Sequence, residues 1–196
     1  LFLSLLMLVP AAAAPRAKNV ILFIGDAGGV PALHAASVYG HDGPQKLFIQ
    51  QMPHIALMDT SAANAWVTDS AAGMTAIVTG QKTRNGVISQ GPDAVRGKQD
   101  GRMLKTILEY AEERGLLTGV VTDMPVVDAT PAACYAHSNE RGNGAEIFAQ
   151  AFAPRFGDGV DVLIGSGRVG LEAQLRARGS SIEEAGARAR RAVSPA

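Results

Sequence analysis

Only one cysteine, Cys134, occurs in the 196 residues, so no intramolecular disulfide can staple the fold and a packed core has to supply its stability. The chain also has no net charge: 18 Lys and Arg balance 18 Asp and Glu. No overall field therefore gathers nucleic acid or an anionic membrane, and recognition has to come from a local site. No apolar run approaches the roughly 20 residues that a membrane-spanning helix needs. Gly25, Gly28 and Gly29 do not fit the G-x-G-x-x-G dinucleotide fingerprint, and there is neither an H-E-x-x-H nor a cysteine cluster. Internal repeats and long linkers are missing as well. What remains is 47% hydrophobic, 18% charged and 5% aromatic, with 22 Gly and 10 Pro. That composition excludes a disordered tract and a fibrous repeat and describes a compact globular chain. Cys134 reads as a small packing residue.

Leu1 to Val9 is apolar except for Ser4, and Pro10 and Ala11 to Ala14 follow. This is the pattern of a signal-peptide h-region with an A-x-A cleavage site, so residues 1–14 are expected to be a leader and residues 15–196 the exported chain. The sequence opens on Leu, and the basic segment that normally begins such a leader is expected upstream of it. The predicted location is periplasmic or secreted, with no stable membrane anchor.

Asn19–Ile24 (NVILFI) is a short apolar run ending in Gly25-Asp26-Ala27-Gly28-Gly29, which predicts a first strand buried on both faces. Met103, Ile107, Leu108, Tyr110 and Ala111 alternate with Lys105, Glu109, Glu112 and Glu113 at helical spacing, and Gly115 stops that helix. Leu116–Thr122 and Val160–Ile164 predict two further buried strands. Helix alternating with strand implies an α/β fold with a helix-covered parallel sheet, whose functional groups sit at the carboxyl ends of the strands. From Gly170 onward an Arg- and Ala-rich stretch reads as solvated helix rather than a nucleic-acid patch.

Three segments hold candidate chemistry. Asp26 follows the first apolar run among glycines, where an oxygen donor suits a hard cation, although Gly-Asp is also ordinary turn chemistry. Val67-Thr68-Asp69-Ser70-Ala71-Ala72-Gly73-Met74-Thr75 places Asp69 or Ser70 as a helix N-cap, with small residues that leave backbone N–H groups open to an anion. Asp128-Ala129-Thr130-Pro131 offers a carboxylate and a hydroxyl two residues apart, with His137 and Arg141 beyond them. Arginine's planar fork suits bidentate phosphate binding.

In that order, GDAGG, VTDSAAGMT and DATPAACYAHSNER resemble the alkaline phosphatase family, and the DATPAA form resembles its bacterial branch. The resemblance covers about Lys18 to Arg168. It implies a three-layer α/β fold with a mostly parallel central sheet. It further implies a phosphate monoester hydrolase that uses zinc and magnesium, passes through a phosphoserine, and works as a homodimer when full length. By motif, Ser70 would be the nucleophile and a zinc ligand, Asp26 would bridge zinc and magnesium, and Thr130 would bind magnesium. Asp128 would hold a magnesium-bound water, and Arg141 would clamp phosphate oxygens with Asp69 orienting it. His137 is either a residue behind the magnesium or a hydrogen-bonded structural histidine.

The family's remaining ligands, a glutamate, further aspartates and histidines, come from a later part of a longer chain. His34, His41 and His54 lie outside the motifs that would make them ligands. The expectation is an N-terminal portion of the fold, incomplete at its C-terminus. Ala27 and Met74 depart from the family pattern: Ala27 calls for an unstrained backbone, and Met74 for room beside the helix after Ser70. Two alternatives stand beside the hydrolase: a non-catalytic phosphate-binding module or degenerate enzyme, and a phosphodiesterase or sulfatase of the same superfamily.

Overall fold

The structure is a computed structural model that describes residues 17–193, so the leader expected over residues 1–14 lies outside the described residues. The chain divides into two compact units, with the boundary between Met52 and Pro53.

In the first unit the apolar run Asn19–Ile24 has no regular secondary structure and pairs with no strand among the described residues, and Val20, Ile21 and Phe23 are exposed. The buried first strand is thus not formed here, because an extended run becomes a strand only when a neighbour accepts its ladder of hydrogen bonds. The run leads into a turn closed by Gly28 N–H donating to Gly25 O at 3.0 Å. The turn requires the left-handed region at Ala27, whose φ is +53°. This corrects the expectation of an unstrained alanine, since a Cβ in that region crowds the following carbonyl. Helix α1 (Val30–His41) follows, with Pro31 in its first turn and Asp42 in the left-handed conformation at its end. It has no one-sided apolar stripe or charge pattern, which is why periodicity did not reveal it. Ser37, its buried residue, donates to Gly43 O and accepts from Lys46 N–H, fixing the chain's return.

The second unit is an α/β arrangement: α2 (Ser70–Thr79), α3 (Ile107–Glu112), β1 (Gly119–Pro125), α4 (Ala129–Tyr135), α5 (Gly144–Gln150), β2 (Val162–Ser166), α6 (Arg168–Ala177) and α7 (Ile182–Val193). Strands β1 and β2 pair in parallel, with Gly119 opposite Val162 and Val121 opposite Ile164. Such a pairing requires a long crossover, which α4 and α5 provide. Both strands start two or three residues later than the apolar runs suggested. Val120 and Leu163 pack into the core, whereas Val121, Val162 and Ile164 are exposed, so among the described residues only one face of the pair is covered.

The main core joins Ala71, Met74 and Val78 of α2 to Ile88, Val120, Ile147 and nearly all of α4. Helix α4 can be surrounded because Ala129, Ala132 and Ala133 are small, and Pro131 is tolerated in its first turn, where backbone N–H groups have no intrahelical acceptor. Met74 fills core volume rather than crowding the helix. Cys134 is buried, and desolvation pushes its thiol up to about 12, as suits an inert packing residue. A second cluster packs Ala145 and Phe148 of α5 against Leu171 and Leu175 of α6. The arginines of α6 form exposed pairs, Arg168 with Glu172 at 2.7 Å among them.

Helix α3 departs in part from its expected orientation, with Leu108 still packed against the core. Glu109 and Glu112 are buried, while Ile107 and Tyr110 are exposed. The helix begins at a capping box: Thr106 Oγ1 accepts from Glu109 N–H, and Glu109 Oε2 accepts from Thr106 N–H. Gly115, at φ +69°, ends it as expected. Glu112 accepts from the Thr118 hydroxyl at 2.8 Å and from Gly159 N–H at 3.2 Å.

Two outcomes follow from these placements. Ala27→Gly removes the left-handed strain and is expected to stabilise the protein by about 0.5–1 kcal/mol, read as a higher denaturant midpoint. Burial raises the Glu112 carboxyl above the usual glutamate range, against the opposing pull of Thr118 and Gly159. The folded state therefore retains a proton that the unfolded chain has lost. Stability from this group falls as pH rises from the ordinary glutamate value through the raised one, and is level above it. Glu112→Gln is expected to flatten that slope in urea titrations across the acidic range and to be at least as stable as the parent near neutrality.

Candidate active site

The second unit brings together Asp69, Ser70, Asp128, Thr130 and Arg141, and it does so through two helix starts. Asp69 is the N-cap of α2: its backbone is extended, and its Oδ1 accepts from Ala72 N–H at 3.0 Å. Ser70 is therefore the first residue of the helix, half-buried, with Ala71 and Ala72 packed behind it. Asp128 caps α4 in the same way, its Oδ1 accepting from Ala129 N–H at 2.8 Å, and Thr130 stands in that first turn.

Arg141 joins the two. Its Nη1 donates to Asp69 Oδ2 at 3.2 Å and its Nη2 to Asp128 Oδ1 at 3.0 Å. One guanidinium thus spans two N-caps that lie 59 residues apart in sequence (69 to 128). The Arg141 side chain is 27% exposed and the two carboxylates nearly the same, so the fork is held in place and partly open to solvent. The Arg141 backbone is fixed separately, its N–H donating to Gly86 O at 2.9 Å. Glu140 beside it holds Arg96 by two bonds, at 2.8 and 2.9 Å, and that arginine keeps the Glu140 carboxyl below the usual glutamate range.

His137 is placed differently. It is buried, with Nδ1–H donating to Ser89 O at 2.7 Å and Nε2 facing Glu109 Oε1 at 2.8 Å. Both ring nitrogens are engaged inside the core. Asp26 belongs to the first unit, in the Gly25–Gly28 turn. Among the described residues no three His, Cys, Asp or Glu side chains converge, so these residues alone do not complete a metal cage. Their donor set nevertheless has the oxygen character that hard cations favour.

Sequence reasoning missed Asn85, Gly86 and Glu109. The Asn-Gly pair carries a turn signal, which points to a bend but to no role. Glu109 occupied a position that helical spacing assigned to solvent. Asp69→Ala is expected to cost about 1–2 kcal/mol through loss of the α2 cap, read by chemical denaturation, with Asp69→Asn costing less because it keeps an acceptor for Ala72 N–H.

The sequence model of the family described as alkaline phosphatase matches residues 17–189. The chain is 36% identical over 135 residues to Alkaline phosphatase 4 of Drosophila melanogaster, an alignment covering 64% of this chain and 22% of that protein. It is 38% identical over 152 residues to the streptomycin-6-phosphate phosphatase of Streptomyces griseus, covering 70% and 32%. Among solved structures, the alkaline phosphatase of the Antarctic bacterium TAB5 superposes with a TM-score of 0.66 at 29% identity, covering 83% of this chain and 43% of that one. A cold-active alkaline phosphatase from Shewanella sp. gives 0.57 at 32% identity, covering 80% and 39%. The chain thus spans between about a fifth and two fifths of the length of these proteins. Its parallel sheet and the residues matched agree, and the chain belongs to the alkaline phosphatase family.

Proposed function

We propose that this chain carries the nucleophile and the phosphate clamp of a phosphate monoester hydrolase. The observation that carries the reading is the Arg141 fork, tied to the carboxylate that immediately precedes Ser70 and to the one that caps α4. In this reading Ser70 Oγ attacks phosphorus, the P–O bond to the alcohol breaks, and the alcohol oxygen leaves with the serine's proton. Water then attacks the phosphoserine, giving inorganic phosphate and restoring the hydroxyl. Arg141 holds the non-bridging oxygens through both steps, and the N-terminal peptide N–H groups of α2 favour the anion beside Ser70. Asp69 acts through Arg141 by fixing its orientation.

Zinc and magnesium belong to this proposal, supported by family membership and by a TAB5 alkaline phosphatase variant described with magnesium bound. Bound ions of this kind supply Lewis-acid activation of a hydroxyl and stabilise a leaving oxygen. Asp26, Asp128, Thr130 and the Ser70 hydroxyl are the donors this chain would contribute, with the other ligands coming from segments of the longer family members outside the matched span. The same reading includes the exported homodimer, with residues 1–14 as leader and 15–196 as the N-terminal part of one domain. No helix among the described residues is long and apolar enough to cross a membrane.

The test is hydrolysis of a chromogenic phosphate monoester by the full-length protein. Ser70→Ala is expected to lower kcat by on the order of 10³-fold or more. Acid quenching of the parent with labelled substrate is expected to leave phosphate on Ser70. Chelation is expected to abolish turnover, and zinc with magnesium to restore it. Undiminished turnover in Ser70→Ala overturns the reading, and phosphate binding without hydrolysis points to the binding module instead.

A further inference from the structure

We infer that Asn85 is a positioning residue that sets the backbone of the nucleophile segment, and that the Asn85–Gly86 turn is the common mount of nucleophile and clamp. The inference about turnover rests on the phosphoserine reading above.

Asp69, as an N-cap, has a backbone N–H that lies outside the helical ladder and needs its own acceptor. Asn85 Oδ1 supplies it at 2.9 Å, and Asn85 Nδ2 donates to Val67 O at 3.0 Å. One planar carboxamide thereby grips the chain on both sides of Thr68, a strand-like pair of bonds that ends at the residue before Ser70. Its orientation is determined, since reversing the amide would set donor against donor at Asp69 and acceptor against acceptor at Val67. Asn85 is itself anchored, its backbone N–H donating to Asn64 Oδ1 at 2.9 Å.

Gly86 completes the mount. Its N–H donates to Asp69 Oδ2 at 2.8 Å, and its carbonyl accepts from Arg141 N–H at 2.9 Å. Val87 N–H closes the turn onto Arg84 O, with Gly86 at φ +83° in the third position, as a type II turn requires. A Cβ at Gly86 would collide with the Arg96 side chain, which holds Glu140 and so the residue before the clamp. Two adjacent residues thus hold the main chain before the nucleophile, the carboxylate that orients the clamp, and the main chain of the clamp.

The two functions separate at Asn85. Its carboxamide bonds the backbone of Val67 and Asp69, whereas Arg141 keeps its own bonds to Gly86 O and to the Asp69 and Asp128 carboxylates. A positional error at a nucleophile of about 1 Å can cost about a hundredfold in rate. In the full-length protein, Asn85→Ala is expected to lower kcat between about tenfold and a hundredfold, with the inhibition constant for inorganic phosphate changed by less than about threefold. Hydrogen–deuterium exchange of the peptide spanning residues 67–72 is expected to accelerate, and that of α3 to stay as in the parent.

A purely structural role would lower the folded fraction and leave kcat per folded molecule and the exchange of 67–72 within it unchanged, and that result overturns the inference. So does unaltered kcat in Asn85→Ala when Ser70→Ala abolishes turnover. Turnover that survives Ser70→Ala overturns the phosphoserine reading instead. Unchanged exchange at 67–72 in Asn85→Ala overturns the positioning contact whichever way turnover responds.

Discussion

The bridge from Arg141 to two helix caps is the interaction on which the arrangement of the site depends. Asp69 and Asp128 each satisfy a backbone N–H at the start of their helix, and each would bring a negative charge toward the other as α2 and α4 pack. The guanidinium between them compensates both charges and gives each a directed hydrogen bond. Because the three side chains are about a quarter exposed, the Coulomb energy is screened, and the contribution of the fork is chiefly geometric. It ties the residue before one hydroxyl, Ser70, to the residue capping the turn that holds another, Thr130.

Behind this bridge lies a buried polar network that the apolar pattern gave no reason to expect. Glu109 closes the capping box of α3 and faces His137, which donates to Ser89 O. Ser89 in turn donates its hydroxyl to Ala133 O and its backbone N–H to Thr75 Oγ1, so α2, α3 and α4 are tied by the same residues. Thr106 adds a bond to Cys134 O. Buried polar groups cost free energy unless every partner is present, so such a network favours one packing of these short helices over others. Its external end lies close to the site: Ile88 and Ser138 exchange backbone bonds three residues before Arg141.

Much of this was legible in the linear order of residues. The cap at Asp69, the stop at Gly115 and the packing role of Cys134 follow from local chemistry, because a cap or a terminating glycine depends on neighbours within a few positions, whereas the cap at Asp128 emerged only from the structure. The three motif blocks named the family by type and order. Less legible were α1, which lacks a one-sided stripe, and α3, whose buried positions include the charged Glu109 and Glu112. The strands were found but shifted, since their limits depend on where β1 meets β2 rather than on where an apolar run begins.

By itself, then, the sequence determined the order of the motif blocks that name the family and the cap that starts the helix displaying Ser70. Only the tertiary structure decided that Arg141 reaches both caps, that His137 bonds to Glu109 and Ser89, that Ala27 is held in a strained turn, and that Asn85 and Gly86 both bond to Asp69. The division has a physical cause. Capping and turn preferences act over three or four residues, while a hydrogen bond between side chains distant in sequence exists only after packing has brought two elements to contact distance.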